Sequence, residues 1–200
     1  MATVPDFKNK HGLWAKSGRI GFGPTCKTKS HEVWLKMKQR CISEIYQAQH
    51  PSYIGCFMSK EFQDYQQFAE WCQTQIGYGL PHYDLDKDFL VPGNKEYGAE
   101  RCAFIPHALN ALFCTHQRSR RTDLPIGVSQ RRDGNRYCAA IAINGSYKIL
   151  GYYTSATEAS TVYQEAKLLE TKRWLNRICN QEFVVDLRII TALQNLVATS

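Results

Sequence analysis

The chain has 200 residues, enough for one ordinary domain or two small ones, and 44% of them are hydrophobic, which excludes a disordered tail. No apolar run is long enough to span a bilayer, and the opening MATVPDFKNKHG has no apolar stretch after its charges, which argues against a secretory signal and predicts a cytoplasmic protein. A formal net charge of +7 favours a polyanionic partner.

Residues 1–29 carry Gly, Lys and Pro with little periodicity. Gly18-Arg19-Ile20-Gly21-Phe22-Gly23 lacks the spacing of a phosphate-binding loop. The segment reads as an extended basic arm, with Lys16, Arg19, Lys27 and Lys29 placed for backbone phosphates. Ser30 is expected to cap a helix running to about Gln49, with Val33, Trp34, Met37, Cys41, Ile42 and Ile45 on its apolar face. Ser59 caps a second helix, whose buried stripe is Phe62, Tyr65, Phe68, Ala69, Cys72 and Ile76; Gly77 ends it. These helices predict a platform for the stretch that follows.

That stretch, Tyr83 to Asn110, has the order strand, long turn, strand, helix. Asp84, Asp86 and Asp88 alternate with Leu85, Lys87 and Phe89, so three carboxylates are expected on one face of a strand. Pro92-Gly93-Asn94 signals a turn, and Cys102-Ala103-Phe104-Ile105 a short apolar return strand. Pro106 suits the first turn of a helix that carries Asn110 inward. Of the eight cysteines none forms a CxxC pair, and in the cytoplasm they are expected to stay reduced. Zn²⁺ gripped by Cys41, Cys56 and Cys102 is the disfavoured reading; burial as small apolar residues is favoured.

The order resembles the ββα finger of HNH endonucleases, as carried by many tailed bacteriophages. Gly93-Asn94-Lys95 matches the family's turn, Phe104-Ile105-Pro106 its aromatic strand and Asn110 its helix asparagine. The resemblance implies a nuclease-type scaffold with Asp86, Lys87, Asp88, Asn94 and Asn110 at the catalytic positions. It also implies Mg²⁺ or Mn²⁺ held by Asp86, Asp88 and Asn110. Lys87 stands where the family's general-base histidine falls, so the finger is degenerate; the other candidate bases are Asp88, His82 and His107.

Beyond Asn110 the helix is expected to run out near His116, and Gln117 to Leu124 reads as a basic linker. Asp133-Gly134-Asn135 and Asn144-Gly145 are hairpin turns, so 127–132, 136–143 and 148–153 predict a three-stranded antiparallel meander. Ser155 starts a helix with Glu158 placed for a capping box, and Ala159, Val162, Tyr163, Ala166 and Leu169 are expected to pack it on one sheet face.

That second module resembles the plant Apetala-type (ethylene-response-factor) DNA-binding domain. The match rests on Gly127-Val128, Gln130-Arg131, Tyr137 in place of Trp, Ala139-Ala140-Ile141, Leu150-Gly151, Thr154, Glu158-Ala159 and Tyr163. It implies that the open sheet face lies in the major groove of double-stranded DNA, with Arg131 and Arg136 at matching positions. Ser129 and Ala142 fall where the family usually has arginine. Arg132, Lys148 and Tyr152 are the further candidates for phosphate contact.

The final stretch, Glu182 to Val197, reads as a helix with Val185, Ile189, Leu193 and Leu196 on one face; it packs back on the body, or forms a homodimer or partner interface. The expected fold class is α+β: a degenerate ββα finger on a helical platform (1–116), a linker (117–124), an Apetala-type module (125–180) and a C-terminal helix (181–200). The expected function is double-stranded DNA binding, with metal-dependent phosphodiester cleavage if the finger is active. The alternatives are a catalytically inactive DNA-binding regulator, or a phage protein that seizes a host defence or transcription protein in the host cytoplasm.

Overall fold

The computed structural model describes residues 3–19, 21, 23–113, 124–132, 134–143 and 146–199. The fold is mixed α+β, and the chain divides into two compact units, Met1–Phe104 and Ile105–Ser200. Among the described residues no helix is long and apolar enough to cross a membrane. Most of the expected 117–124 linker, the Asn144-Gly145 turn, Asp133, and the helix end near His116 lie outside the described residues.

The first unit opens with a hairpin, β1 (Ser17–Arg19) against β2 (Thr25–Lys27), followed by α1 (Lys29–Ile42) and α2 (Glu44–Gln49). The single helix expected from Ser30 to Gln49 is broken at Ser43. The Ser43 backbone is extended, and its hydroxyl accepts the Tyr46 N–H, so this residue caps a new helix instead of continuing the old one. Trp34 and Met37 are buried as the stripe requires, whereas Ile42 and Ile45, at and beyond the break, are exposed.

Next come β3 (Phe57–Met58), α3 (Lys60–Gln63) and α4 (Tyr65–Thr74). Ser59 caps α3 as expected, but Asp64 interrupts the helix by accepting the Gln66 N–H. Phe62, Tyr65, Phe68, Ala69 and Cys72 are all buried, because the break keeps the apolar face pointing one way. They form the unit's core with Trp34, Met37, Tyr97, Cys102 and Phe104. Ile76 is exposed.

The N-terminal segment is not a free arm. Val4 is buried and its N–H donates to the Lys27 carbonyl at 3.0 Å. Asp6 accepts from the Ser30 N–H (2.9 Å), the Ser30 hydroxyl (2.8 Å), Gln73 Nε2 (3.1 Å) and the Tyr78 hydroxyl. Tyr65 and Thr28 both donate to the Ala15 carbonyl, at 2.7 and 2.8 Å. Thr28, just before α1, and Tyr65 of α4 thus satisfy backbone that an arm would leave to water.

β4 (Tyr83–Asp86) pairs with β6 (Ala103–Pro106), while β5 (Glu96–Tyr97) runs parallel to β3. Pro106 ends β6, and α5 (His107–Phe113) begins one residue later than expected, inside the second unit.

The second unit continues with β7 (Val128–Gln130), β8 (Tyr137–Ile143) and β9 (Ser146–Tyr153), an antiparallel meander in the order β7-β8-β9. α6 (Ala156–Cys179) packs across β8 and β9; the Ser155 hydroxyl caps it by accepting the Glu158 N–H at 3.1 Å. Ala139 and Ile141 of β8 and Ala159 and Tyr163 of α6 are all buried. Leu169, expected in that packing, is exposed. α7 (Leu187–Ala198) starts five residues later than expected, capped by Asp186, and buries Ile189 and Leu193 as it packs on α6. Leu196 is left exposed.

Candidate nucleic-acid interface

Two loci gather the residues singled out from the sequence. The first is the bend after β4. Asp84 and Asp86 lie on the strand, but the strand ends at Asp86 and Asp88 sits on the exposed bend. The three carboxylates therefore do not share one strand face. The cause is Asp86 itself: its Oδ1 accepts the N–H groups of Asp88 (2.9 Å) and Phe89 (2.6 Å), an Asx-type turn that rolls the chain out of extended geometry.

Lys87 is only 3% exposed. Its Nζ donates to Asp88 Oδ1 and to the Asn94 carbonyl, each at 2.6 Å, and lies 5.8 Å from the centre of the Tyr97 ring. Asn94 completes the knot: its Nδ2 donates to the carbonyls of Lys87 (3.0 Å) and Glu96 (2.7 Å), and its Oδ1 accepts the Glu96 N–H (3.0 Å). Asp86, Lys87, Asp88 and Asn94 are thus brought together, and Asp86 Oδ1, Lys87 Nζ, Asp88 Oδ1 and the Asn94 amide are engaged with one another and with the loop backbone. Asn110 is carried by α5 in the second unit. His82 lies just before β4 at a φ of +61°, and His107 is the first residue of α5.

Part of the donor set expected for a divalent ion is already engaged. Asp86 Oδ1 already holds two N–H groups, the Asn94 amide is committed, and a cation at Asp88 would meet the Lys87 amine at contact distance. Among the described residues no three His, Cys, Asp or Glu side chains gather as a metal site. Cys41 and Cys56 lie near each other, with the Cys41 thiol pushed up to about 11 by burial and by Cys56. Cys102 instead lies close to Cys72.

Burial, reinforced by the neighbouring Asp88, raises the Asp86 carboxyl above its ordinary 3.8, while the two N–H bonds pull the other way. The folded state then holds that proton more tightly than the unfolded chain. The group's favourable contribution is complete below 3.8 and is lost as pH rises through the raised folded value. Asp86→Asn keeps an oxygen acceptor for both N–H groups and removes the charge. It is expected to melt above wild type at pH 7, with the gap closing as pH falls towards 4. Thermal melts at the two pH values check this, and a variant less stable than wild type at pH 7 would contradict it.

The second locus is the three-stranded sheet. Cross-strand register places Ser129, Cys138 and Tyr152 in one row, Ala140 and Ile149 in the next, and Ala142 and Tyr147 in a third. Lys148 pairs with Ile141, and it lines a groove with Ile143, Ser146 and the α6 residues Glu170, Arg173, Trp174 and Arg177. The rows of Tyr147 and Ile149 alternate with that of Lys148, so they occupy the face turned away from α6. Their exposure agrees: Tyr147 is 70% exposed, Ile149 50% and Tyr152 44%.

Arg131 lies over the Tyr152 ring, its Cζ 4.9 Å from the centroid, which puts it on the same outer face. Arg132 and Arg136 flank the β7–β8 turn and are exposed. The turn is held by the Arg131 N–H to the Arg136 carbonyl and the Gly134 N–H to the Arg131 carbonyl, both at 2.9 Å. Of the residues expected to face a nucleic acid, the structure joins Arg131 and Tyr152 and leaves Arg132 and Arg136 beside them. Lys148 and Tyr137 belong to rows on the α6 side.

A register shift between Ala139 and Ala140 is the reason. It inserts Leu150 as an extra residue of β9, so Tyr152 and Lys148, which simple alternation puts on one face, end on opposite faces. Tyr147 and Ile149 are the outer-face residues that sequence reasoning missed. Counting pairs back from Ile143 and Ser146 finds them; counting from Tyr152 does not. No family model, curated protein or solved structure matches the chain.

Proposed function

We propose that this chain is a double-stranded DNA-binding protein that contacts the duplex through the outer face of the β7–β9 sheet. The observation that carries the reading is the exposed cationic end of that face, with Arg131, Arg132 and Arg136 around one turn and Arg131 stacked on Tyr152. The net charge of +7 and the sheet's form support it, since a ribbon of strands fits the major groove and guanidinium groups suit phosphates. Binding without cleavage is the favoured form of this reading. At the position of the family's base, Lys87 donates hydrogen bonds that hold the loop, and Asp88 is its partner.

The test is anisotropy of a labelled 20-base-pair duplex between about 50 and 200 mM salt. Log affinity is expected to fall linearly with log salt, and Arg132→Ala and Arg136→Ala are each expected to reduce the slope by about one. Supercoiled DNA incubated with Mg²⁺ or Mn²⁺ is expected to stay unnicked. Absent or salt-independent binding, or slopes unchanged in both variants, would overturn the reading.

A further inference from the structure

The outer face differs chemically from one built to read bases with charged or amide side chains. Beyond Arg131 at its end, its three rows consist of Ser129, Cys138 and Tyr152, then Ala140 and Ile149, then Ala142 and Tyr147. On the central strand Cys138 and Ala140 are buried and only Ala142 is exposed, and β9 raises a ridge of Tyr147, Ile149 and Tyr152 beside them. Reading guanine or adenine by paired hydrogen bonds calls for Arg, Lys, Asn or Gln. None of these stands in the rows of Ile149 and Tyr147. The major groove offers one apolar feature on a base edge, the C5-methyl of thymine. From Tyr147 to Tyr152 the ridge runs about 16 Å, which spans roughly four to five base steps. The arginines at its end supply charge complementarity to the phosphates that border such a groove.

Resting on the duplex-binding reading above, we propose that this face selects thymine-containing DNA by packing Tyr147, Ile149 and Ala142 against thymine methyl groups. Burial of each methyl removes one CH₂-sized group from water, worth about a fourfold gain in affinity. The selectivity lies in the apolar rows, while the arginines act on any sequence. The two contributions are therefore separable.

The experiment uses the full chain and three probes of one A·T-rich sequence: the thymine duplex, the same duplex with every thymine replaced by uracil, and the thymine single strand. The thymine duplex is expected to bind tighter than the uracil duplex by about fourfold for each methyl buried. Tyr147→Ser and Ile149→Ser, both at exposed positions, are expected to shrink that ratio towards one without changing the salt slope. Arg132→Ala is expected to weaken both duplexes equally. Equal affinity for thymine and uracil duplexes, both bound, overturns methyl reading and leaves DNA binding standing. Tighter binding of the single strand than of the duplex also overturns it, in favour of base stacking on the tyrosines. Failure to bind any duplex removes this inference and the function together.

Discussion

Gly127→Ala is expected to cost the second unit about 3 kcal/mol, combining the left-handed backbone penalty with overpacking. Gly127 has a φ of +79°, and a Cβ there would lie 2.0 Å from the Tyr163 ring. The residue lets the chain enter β7 directly against the helix that supports the sheet. Neither the ring, buried between α6 and the sheet, nor the backbone can yield cheaply. For a unit of this size the loss corresponds to a fall in melting temperature of roughly 12 to 24 °C. Gly134→Ala is the control: its φ is +73° but nothing lies within 4 Å, so only the backbone term of about 1–2 kcal/mol applies. A second substitution, Tyr163→Leu, is expected to recover part of the loss in Gly127→Ala. Equal melting temperatures for Gly127→Ala and Gly134→Ala would show that the close approach to Tyr163 carries no weight. Duplex affinity should fall with the folded fraction, because this packing displays the Arg131–Tyr152 pair.

Asp6→Ala is the second large effect, expected to destabilise the first unit by about 3–5 kcal/mol. The carboxylate accepts four hydrogen bonds, and two of the donors belong to Ser30, which is fully buried. Alanine leaves the Ser30 N–H without its acceptor away from water, strips the Ser30 hydroxyl back to its 3.0 Å contact with the Tyr65 hydroxyl, and removes the carboxylate from the Tyr78 hydroxyl, whose pKa burial and Asp6 hold well above the ordinary tyrosine value. Asp6→Asn retains one acceptor oxygen and is expected to fall between wild type and alanine. Chemical denaturation measures both. A loss below about 1 kcal/mol for Asp6→Ala would mean that residues 3–16 ride on the unit without stabilising it.

The contacts of Asp6 reach far along the chain. Residues 1–29 look like a free basic arm because their partners, Tyr65, Gln66, Gln73 and Tyr78, stand some 50 to 70 residues away. No local pattern encodes those pairings. Trp34 and Met37 of the α1 stripe, the stripe of α4 and the caps at Ser59 and Ser155 were legible, since burial and capping depend on neighbours within a turn or two. Ser43 and Asp64 were hidden breaks: each is an ordinary polar residue within a helical pattern until its side chain captures an N–H two or three residues on. The meander of the second unit was legible from its turns, and so were the exposed arginines. The extra residue at Leu150 was not, and it alone decides whether Lys148 or Tyr147 and Ile149 accompany Tyr152. Likewise Asp86 reads as one of an alternating set, yet its capture of two N–H groups ends the alternation.

The most direct measurement is the change in chemical shifts of the full chain when a 20-base-pair duplex is added. Perturbations are expected at Ser129, Arg131, Arg132, Arg136, Tyr147, Ile149 and Tyr152, with Lys148, Glu170 and Arg173 on the α6 side left in place. Shifts confined to the α6 groove or to the first unit, with the outer sheet rows unmoved, would contradict the account.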